Sequence, residues 1–327
     1  MRLRASKRIF LLALTGLVVA VLGAGCGRED ETGNAGAATN TEEQLSGKVE
    51  SDGSSTVGPL TTAAAELFRD QQPGVNVTVG ISGTGGGFER FCAGETDISN
   101  ASRPIKEDEE VPICQKNGIE YTEFQVAIDA LTVVVNPEND WVDCLTVDQL
   151  NAIWEPKSKV DNWSNVPGGD YPDQSLKLFG AGTDSGTFDY FTDAINGEEG
   201  ASRSDYSATE DDNVTVRGVQ GDKGALGYFG FSYYEENQDS LKALEIDGGE
   251  GCVAPSPETA QSGEYTPLSR PLFVYVKNES LQRPEVQAFM RFFLENLDQA
   301  AEQALYIPLP EDQKEEQMTK LDEAAGA

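Results

Sequence analysis

The chain has 327 residues, which is long for a single compact core, so two lobes or domains are expected. Its formal net charge is −32 and it contains no histidine. This acidity argues against nucleic acid or an anionic membrane surface as a partner. The lack of histidine excludes Ser-His-Asp and Cys-His nucleophile activation and removes the commonest transition-metal ligand.

Residues 1–26 have the features of an export signal. A basic head precedes an uncharged apolar run that ends in Leu22-Gly23-Ala24-Gly25-Cys26. Small residues before a lone cysteine resemble the lipobox of bacterial lipoproteins, in which that cysteine is lipidated. We predict a lipoprotein signal peptide with Cys26 as the lipidation site. A plain signal peptide or an uncleaved anchor is the alternative.

Residues 27–47 are rich in Gly, Ala, Thr, Asn and Glu and offer almost nothing to bury. We predict a disordered tether between the membrane and the folded part. The protein is then exported and is either lipid-anchored to the outer face of the cytoplasmic membrane or periplasmic. Its contact with the membrane would be made through the lipid anchor alone.

The folded part begins near Lys48 and alternates between strands and helices. The pattern predicts strands at 75–79, 130–137, 224–230 and 270–276, helices at 60–68, 145–154 and 284–304, and a polar tail from residue 311. The strands at 130–137 and 270–276 are long and apolar, which suits buried crossings between lobes. This alternation predicts two α/β lobes with a ligand in the cleft between them.

The loop at residues 180–188 has the composition of an anion site. It follows an apolar run and precedes an amphipathic segment, so it is predicted to join a strand to the start of a helix. A helix start presents unpaired N–H groups and the positive end of the backbone dipole, and glycines let an anion approach closely. Ser185 and Thr187 add hydroxyl donors. Helix capping by Thr183 or Ser185 is the alternative.

Three earlier segments have a similar build. They are the hydroxyl-rich turn at 51–60, the glycine-rich loop at 82–87 with a helix predicted from Phe88, and the turn around Arg103. The glycine-rich loop fits a dinucleotide fingerprint only loosely, so no nucleotide is predicted. The planar donor fork of Arg103 suits an oxyanion, and a surface ion pair is its alternative role.

Four cysteines remain after the lipidation site, and none has metal-site spacing. An oxidising compartment favours two disulfides, for which three pairings are possible. We favour Cys92–Cys114 and Cys144–Cys252, because each pair then lies on one side of the crossing at Leu131.

Four motifs, taken in order, resemble the ligand loops of phosphate-binding proteins of Pst-type ABC transporters. They are Gly53-Ser54-Ser55-Thr56, Gly83-Thr84-Gly85-Gly86-Gly87, Ala101-Ser102-Arg103-Pro104 and Asp184-Ser185-Gly186-Thr187. The resemblance covers roughly residues 48–310. It implies an α/β, two-lobe type II periplasmic-binding-protein fold that closes over inorganic phosphate and delivers it to transmembrane permease subunits.

We place lobe 1 at 48–130 plus 271–327 and lobe 2 at 131–270. The predicted ligand-binding residues are Ser54, Ser55, Thr56, Thr84, Gly85, Ser102, Arg103, Asp184, Ser185, Gly186 and Thr187. No catalytic residue, metal or cofactor is predicted, and we expect a monomer that binds no nucleic acid.

The sequence departs from the best-known members of the resembled family at two places. Those members carry an arginine where this chain has Ala181 and Gly182, and an aspartate where it has Ser102. Arg103 is the predicted substitute for the cation. A carboxylate that accepts the phosphate proton would distinguish phosphate from sulfate. We favour Asp184 for that role, with Asp52 and Ser102 as alternatives.

Other functions remain open. Within the same class, the ligand is another oxyanion such as sulfate or molybdate. A phosphatase with Ser185 as nucleophile is the rival from another class, although its loop is not the G-x-S-x-G elbow and no histidine can act as base. A surface adhesion or signalling lipoprotein is a third possibility. We predict a binding protein and not an enzyme.

Overall fold

The computed structural model describes residues 44–183 and 185–326. The predicted signal peptide (1–26) with Cys26 lies outside the described residues, and so does Asp184. Of the predicted tether, residues 27–43 also lie outside them. Its last residue, Gly47, begins the first strand.

Strands and helices alternate along the described chain. The strands are β1 (Gly47–Gly53), β2 (Val75–Val79), β3 (Ile98–Ala101), β4 (Tyr121–Val135), β5 (Cys144–Thr146), β6 (Lys177–Ala181), β7 (Ser207–Thr209), β8 (Ala225–Gly230), β9 (Lys242–Ala243), β10 (Glu245–Asp247), β11 (Cys252–Val253) and β12 (Ser269–Lys277). The helices are α1 (Val57–Gln71), α2 (Gly83–Cys92), α3 (Val111–Lys116), α4 (Val147–Trp154), α5 (Gly186–Asn196), α6 (Asp212–Gln220), α7 (Phe231–Asn237), α8 (Pro257–Ser262), α9 (Pro284–Glu295), α10 (Leu297–Gln303) and α11 (Glu311–Ala325).

One large sheet organises the fold, with the strand order β2-β1-β3-β12-β4-β8-β6-β7 and β9 paired to β4. β1 is parallel to β2 and β3, and β6 is parallel to β7 and β8. The carboxyl ends of parallel strands share one edge of a sheet, where ligand loops usually lie. The loops that follow β1, β2 and β3 are therefore neighbours.

β4 belongs to both halves of this sheet. Its residues 121–130 pair with β12, and its residues 131–135 pair with β8. We call β2, β1, β3, β12 and residues 121–130 the first sheet half, and residues 131–135 with β8, β6 and β7 the second. All ten residues from 126 to 135 are buried, as expected for a strand covered on both faces.

Each sheet half has its own large apolar core. In the first, Leu60, Ala64 and Phe68 of α1 pack with residues of α9, α10 and α11. Their spacing of three and four residues places them on one helix face. In the second, Trp154 and Phe191 pack against Tyr228 of β8. The predicted lobe boundaries at 130/131 and 270/271 remain predictions.

The predicted helix start at Phe88 is wrong, because α2 begins at Gly83. Glycine is a poor helix former, which is why the sequence indicated a loop. Here the glycines allow close packing instead: a Cβ on Gly87 would lie 2.5 Å from the Cα of Gly53 at the end of β1. The start of α2 is thus held against the end of β1.

The C-terminal predictions also need correction. The helix predicted at 284–304 is two helices that meet at Asn296. The predicted polar tail contains the helix α11, whose buried Gln317 accepts a hydrogen bond from the N–H of Gln125 at 3.1 Å. Few apolar residues mark its buried side, among them Leu321, so the sequence gives only a weak helical pattern.

The structure contains two disulfides, Cys92–Cys114 and Cys144–Cys252, the same pairs that the sequence favours. The second joins β5 to β11 within a small three-stranded sheet. Among the described helices, none is both long and apolar enough to cross a membrane.

Candidate anion-binding site

The starts of α1 and α5 meet at the junction of the two sheet halves. α1 follows β1, and α5 follows the loop after β6. A Cβ added to Gly186, the first residue of α5, would lie 2.7 Å from Oγ1 of Thr56 and 3.5 Å from Oγ of Ser55. Each helix start carries roughly half a positive charge, so their meeting creates a place that favours an anion.

Two predicted ligand serines accept hydrogen bonds from N–H groups at these helix starts, and Ser185 is the N-cap of α5. Oγ of Ser54 accepts hydrogen bonds from the N–H groups of Thr56 (3.1 Å) and Val57 (3.4 Å). Oγ of Ser185 accepts one from the N–H of Thr187 at 3.1 Å. The capping alternative is therefore observed for Ser185. A capping hydroxyl can still donate its own proton, so capping and ligand binding are compatible.

Thr84 and Ser102 form a hydroxyl pair at the same edge of the first sheet half as the loop after β1. Their oxygens are 3.0 Å apart, and Oγ1 of Thr84 also accepts the N–H of Ser102 at 3.3 Å. Thr84 is in the first turn of α2, and Ser102 follows β3. Gly85, the next residue of α2, is exposed. The parallel strands of the first sheet half thus bring three of the predicted loops to one edge.

Arg103 is engaged with an acid in this structure. Its Nη1 and Nη2 donate to Oε2 and Oε1 of Glu110 at 2.9 Å and 2.8 Å, a complete two-bond fork. The guanidinium also lies 5.7 Å from the ring centroid of Phe88. The hydrogen bond to Glu110 raises the pKa of Arg103. The ion-pair alternative is thus observed, and a ligand role for Arg103 remains a prediction.

A different arginine, Arg270 of β12, contacts the loop after β1. Its Nη2 donates to Oγ1 of Thr56 at 3.2 Å. Its guanidinium carbon lies 3.7 Å from the ring centroid of Tyr190 on α5. Arg270 therefore touches an element of each sheet half, and it places a fixed positive charge between the two helix starts.

Asp129 of β4 is the acid that holds Arg270. Both Nε and Nη2 of Arg270 donate to the same oxygen, Oδ2, at 3.2 Å. Asp129 is only 5 % exposed. Burial raises the pKa of Asp129, whereas the charge of Arg270 and the hydrogen bonds it donates lower it. A buried charge is stable in such a place only with a partner, which Arg270 provides.

Two tyrosines complete the surroundings. The hydroxyl of Tyr306 donates to the carbonyl oxygen of Thr56 at 2.8 Å. The hydroxyl of Tyr190 donates to the carbonyl oxygen of Pro267 at 2.8 Å, which holds the ring beneath Arg270. Burial raises the pKa of both tyrosines, so both remain neutral donors at physiological pH.

Sequence reasoning missed Arg270 and Asp129. They are 141 residues apart in the sequence, Asp129 within β4 and Arg270 near the start of β12. The available signal was that a charged residue stands at the start of each of the two predicted crossing strands, Asp129 just before 130–137 and Arg270 as the first residue of 270–276. Charges inside a buried strand are rare unless they are paired.

Comparison with known proteins places the chain in a family. Residues 38–296 match the family model described as PBP superfamily domain. Protein SphX of Synechocystis is 48 % identical over 275 residues, 83 % of this chain and 81 % of that protein. Phosphate-binding protein PstS of Staphylococcus saprophyticus is 41 % identical over 282 residues, 86 % of each chain. The chain belongs to the PBP superfamily, in the family of PstS.

A solved structure supports the same assignment. The crystal structure of a possible phosphate binding protein from Planctomyces limnophilus matches with a TM-score of 0.81 and 52 % identity, covering 86 % of this chain and 99 % of that chain. The predicted family and the predicted α/β periplasmic-binding-protein fold are thereby confirmed.

The sequence of this PBP-superfamily protein offers three candidates for the residue that accepts the phosphate proton. One of them, Asp184, lies outside the described residues. Ser102 is paired with Thr84. Asp52 is buried and engaged within the first sheet half. Its Oδ1 accepts the hydroxyl of Ser82 at 2.7 Å, and its Oδ2 pairs with Arg90. Asp52 therefore holds the loop after β2 in place, because both carboxylate oxygens already have donors.

The described part of the chain contains few groups of side chains that could hold a metal ion. Across residues 44–183 and 185–326, the one grouping of three such side chains is Cys144, Glu245 and Cys252. Both cysteines belong to the disulfide, so neither offers a thiolate to a metal. The site at the helix starts consists of hydroxyls, N–H groups, an arginine and a carboxylate. Such a set binds an oxyanion directly.

Proposed function

We propose that this protein binds inorganic phosphate outside the cytoplasm and delivers it to the permease subunits of an ABC transporter. The observation that carries the proposal is the contact between the starts of α1 and α5 beside Arg270. The names of the relatives support it, since PstS of S. saprophyticus is a phosphate-binding protein. We further propose that it acts as a monomer; elution of the purified protein at the size of a dimer would contradict this.

The proposed ligand contacts come from the four predicted loops; of the predicted residues, Ser54, Gly85 and Asp184 are not included, and Arg270 replaces Arg103. Hydroxyls and N–H groups of the loop after β1, of α2 and of the start of α5 would surround the oxyanion. These contacts are Ser55, Thr56, Thr84, Ser102, Ser185, Gly186 and Thr187. Arg270 would supply the cation, because its guanidinium touches Thr56, whereas that of Arg103 is engaged by Glu110.

The acidic surface is compatible with an anionic ligand. Exposed charges beyond about 10 Å are largely screened at moderate salt. Donors at hydrogen-bonding distance in a closed cleft act almost unscreened. The local positive groups therefore outweigh the distant negative ones.

A phosphatase reaction at Ser185 would have no histidine as its base. The Ser185 hydroxyl oxygen accepts the N–H of Thr187, and the sequence provides no histidine to activate it. We therefore propose binding without turnover. Metal-free purified protein is expected to release no phosphate from a chromogenic phosphate ester, and release would favour the enzyme instead.

Calorimetry of the purified protein with phosphate, sulfate and molybdate tests the binding proposal. We expect tight phosphate binding and about tenfold or greater weakening in Gly186→Ala, since its methyl group would press on the hydroxyls of Thr56 and Ser55. Gly230→Ala is the matched control. It also adds a methyl group at a helix start, but no atom lies within 4 Å of it. Absence of phosphate binding in the unaltered protein would refute the proposal.

We also propose export and lipid anchoring through Cys26. The basic head, the uncharged apolar run and the small residues before the lone cysteine support this. Cys26→Ser is expected to move the protein from the membrane fraction to the soluble fraction. Continued membrane association of the variant would instead indicate an uncleaved anchor.

A further inference from the structure

Leu305, just past the end of α10, has a left-handed backbone conformation. Its φ is 62°, a region that leucine enters only at a cost and that glycine usually occupies at such a helix end. Its N–H donates to the carbonyl oxygen of Glu302 at 3.2 Å, and the N–H of Tyr306 donates to that of Ala301 at 2.9 Å. These two bonds form a Schellman motif. A leucine keeps this conformation only where its surroundings impose it.

The chain around Tyr306 is fixed by hydrogen bonds to two other elements. Ile307 and Ile128 of β4 exchange both backbone hydrogen bonds, at 2.9 Å and 3.0 Å. The hydroxyl of Ser232 on α7 donates to the carbonyl oxygen of Leu305 at 2.8 Å. Ile128 belongs to the first sheet half, whereas α7 follows β8 of the second. Tyr306 therefore lies between two anchors, one on each sheet half.

Tyr306 directs its hydroxyl at the loop after β1. The hydroxyl donates to the carbonyl oxygen of Thr56 at 2.8 Å. Burial raises the pKa of Tyr306, so the hydroxyl stays protonated and remains a donor. Arg270 donates to the side-chain oxygen of the same threonine at 3.2 Å. Thr56 is thus held by one donor at its carbonyl and by another at its hydroxyl.

The carbonyl of Thr56 and the N–H of Val57 belong to one peptide group. Val57 is the first residue of α1, so its N–H is one of the helix-start groups that have no partner within the helix. The N–H lies 3.4 Å from Oγ of Ser54, which is long for a hydrogen bond. A hydrogen bond at the carbonyl end polarises a peptide and strengthens its N–H as a donor. The bond from Tyr306 therefore orients this N–H and improves it as a donor to an anion.

We propose that Tyr306 is a positioning residue of the anion site, which holds the Thr56–Val57 peptide so that the N–H of Val57 binds the oxyanion. This inference rests on the proposed phosphate-binding function. Tyr306 acts through the peptide and makes no contact with the anion itself. The anchors at Leu305 and Ile307 supply the rigid support that such a role requires.

Tyr306→Phe tests the inference, because it removes the hydroxyl and keeps the ring. Titration calorimetry of the full-length protein with phosphate is expected to show about tenfold weaker binding. The factor should be the same on either side of neutral pH, since the hydroxyl is neutral and does not meet the titrating anion. In NMR spectra of the isotope-labelled protein without phosphate, the amide proton signal of Val57 should move upfield, because the peptide loses its polarising partner.

Tyr265→Phe is the matched control. Tyr265 is fully buried, and its hydroxyl also donates to a backbone carbonyl oxygen, that of Leu131 at 3.0 Å. Leu131 lies on β4 and not in a ligand loop. The control should lower the melting temperature about as much as Tyr306→Phe does. It should change phosphate affinity by less than about twofold and leave the Val57 signal in place.

The outcomes separate the inference from its alternatives. Equal phosphate affinities in Tyr306→Phe and Tyr265→Phe would overturn it. A loss in Tyr306→Phe that varies with pH, or that leaves the Val57 signal unmoved, would mean that the hydroxyl contacts the anion directly, which also overturns the positioning role. In each of these cases the unaltered protein still binds phosphate. An unaltered protein that binds no phosphate would instead refute the proposed function and the inference with it.

Discussion

Replacing Arg270 with methionine is expected to weaken phosphate binding by about 100-fold or more. A hydrogen bond to a charged group contributes about 1.5–3 kcal/mol, and Arg270 would provide at least one such bond together with its charge. Methionine keeps part of the aliphatic bulk over Tyr190 but removes the donors. Isothermal titration calorimetry with phosphate measures the loss directly.

Two companion variants make this result interpretable. Arg270→Met alone leaves Asp129 buried without a partner, which is strongly destabilising. The double variant Arg270→Met with Asp129→Asn removes that charge, and its comparison with Asp129→Asn alone isolates the effect of losing the guanidinium. Arg103→Met is the matched control, since its guanidinium already bonds to Glu110. A larger loss of phosphate affinity in Arg103→Met than in Arg270→Met would show that Arg103, and not Arg270, supplies the positive charge of the site.

Removal of the Cys144–Cys252 disulfide is expected to lower the free energy of unfolding by about 3–5 kcal/mol. The two cysteines are 108 residues apart, and in the chain-entropy account a long closed loop gives a large constraint on the unfolded chain. Cys252 is exposed and Cys144 only half-buried. Their replacement by alanine therefore leaves only a small cavity. The change in the free energy of unfolding then reflects mainly the loss of the cross-link.

Denaturant unfolding of the variant Cys144→Ala with Cys252→Ala measures this effect. The unaltered protein unfolded in the presence of a reductant is the control, although reduction opens the second disulfide as well and should cost at least as much. An unfolding midpoint equal to that of the oxidised, unaltered protein would show that the cross-link contributes nothing to stability.

Local chemistry made much of the fold predictable. The start of α4 is a capping box in which Thr146 and Gln149 exchange hydrogen bonds, and the residue types alone indicated a capped helix there. The loop at 180–188 leads from β6 into α5 as its glycines and hydroxyls predicted. These features depend on residues that are close together in the sequence, so they can be predicted from local sequence patterns.

Features that depend on distant partners were not predictable in the same way. The sequence placed Arg103 apart from the acidic run that follows it, yet the chain turns so that Glu110 meets it. α2 extends through its glycines because β1 packs against them, a contact that outweighs helix propensity. Arg270 and Asp129 meet only after 141 intervening residues have folded.

The strand β4 also determines where the site is built. Asp129 and Arg270 are direct cross-strand partners in the pairing of β4 with β12. A slip of one residue would set Arg270 opposite Ile128 or Ala130, which belong to the apolar core. The same strand continues into its pairing with β8, so β4 takes part in both sheet halves. The position of the Arg270–Asp129 pair relative to the two helix starts is therefore set by the pairing of the backbone strands. The loops can vary in sequence without moving this pair.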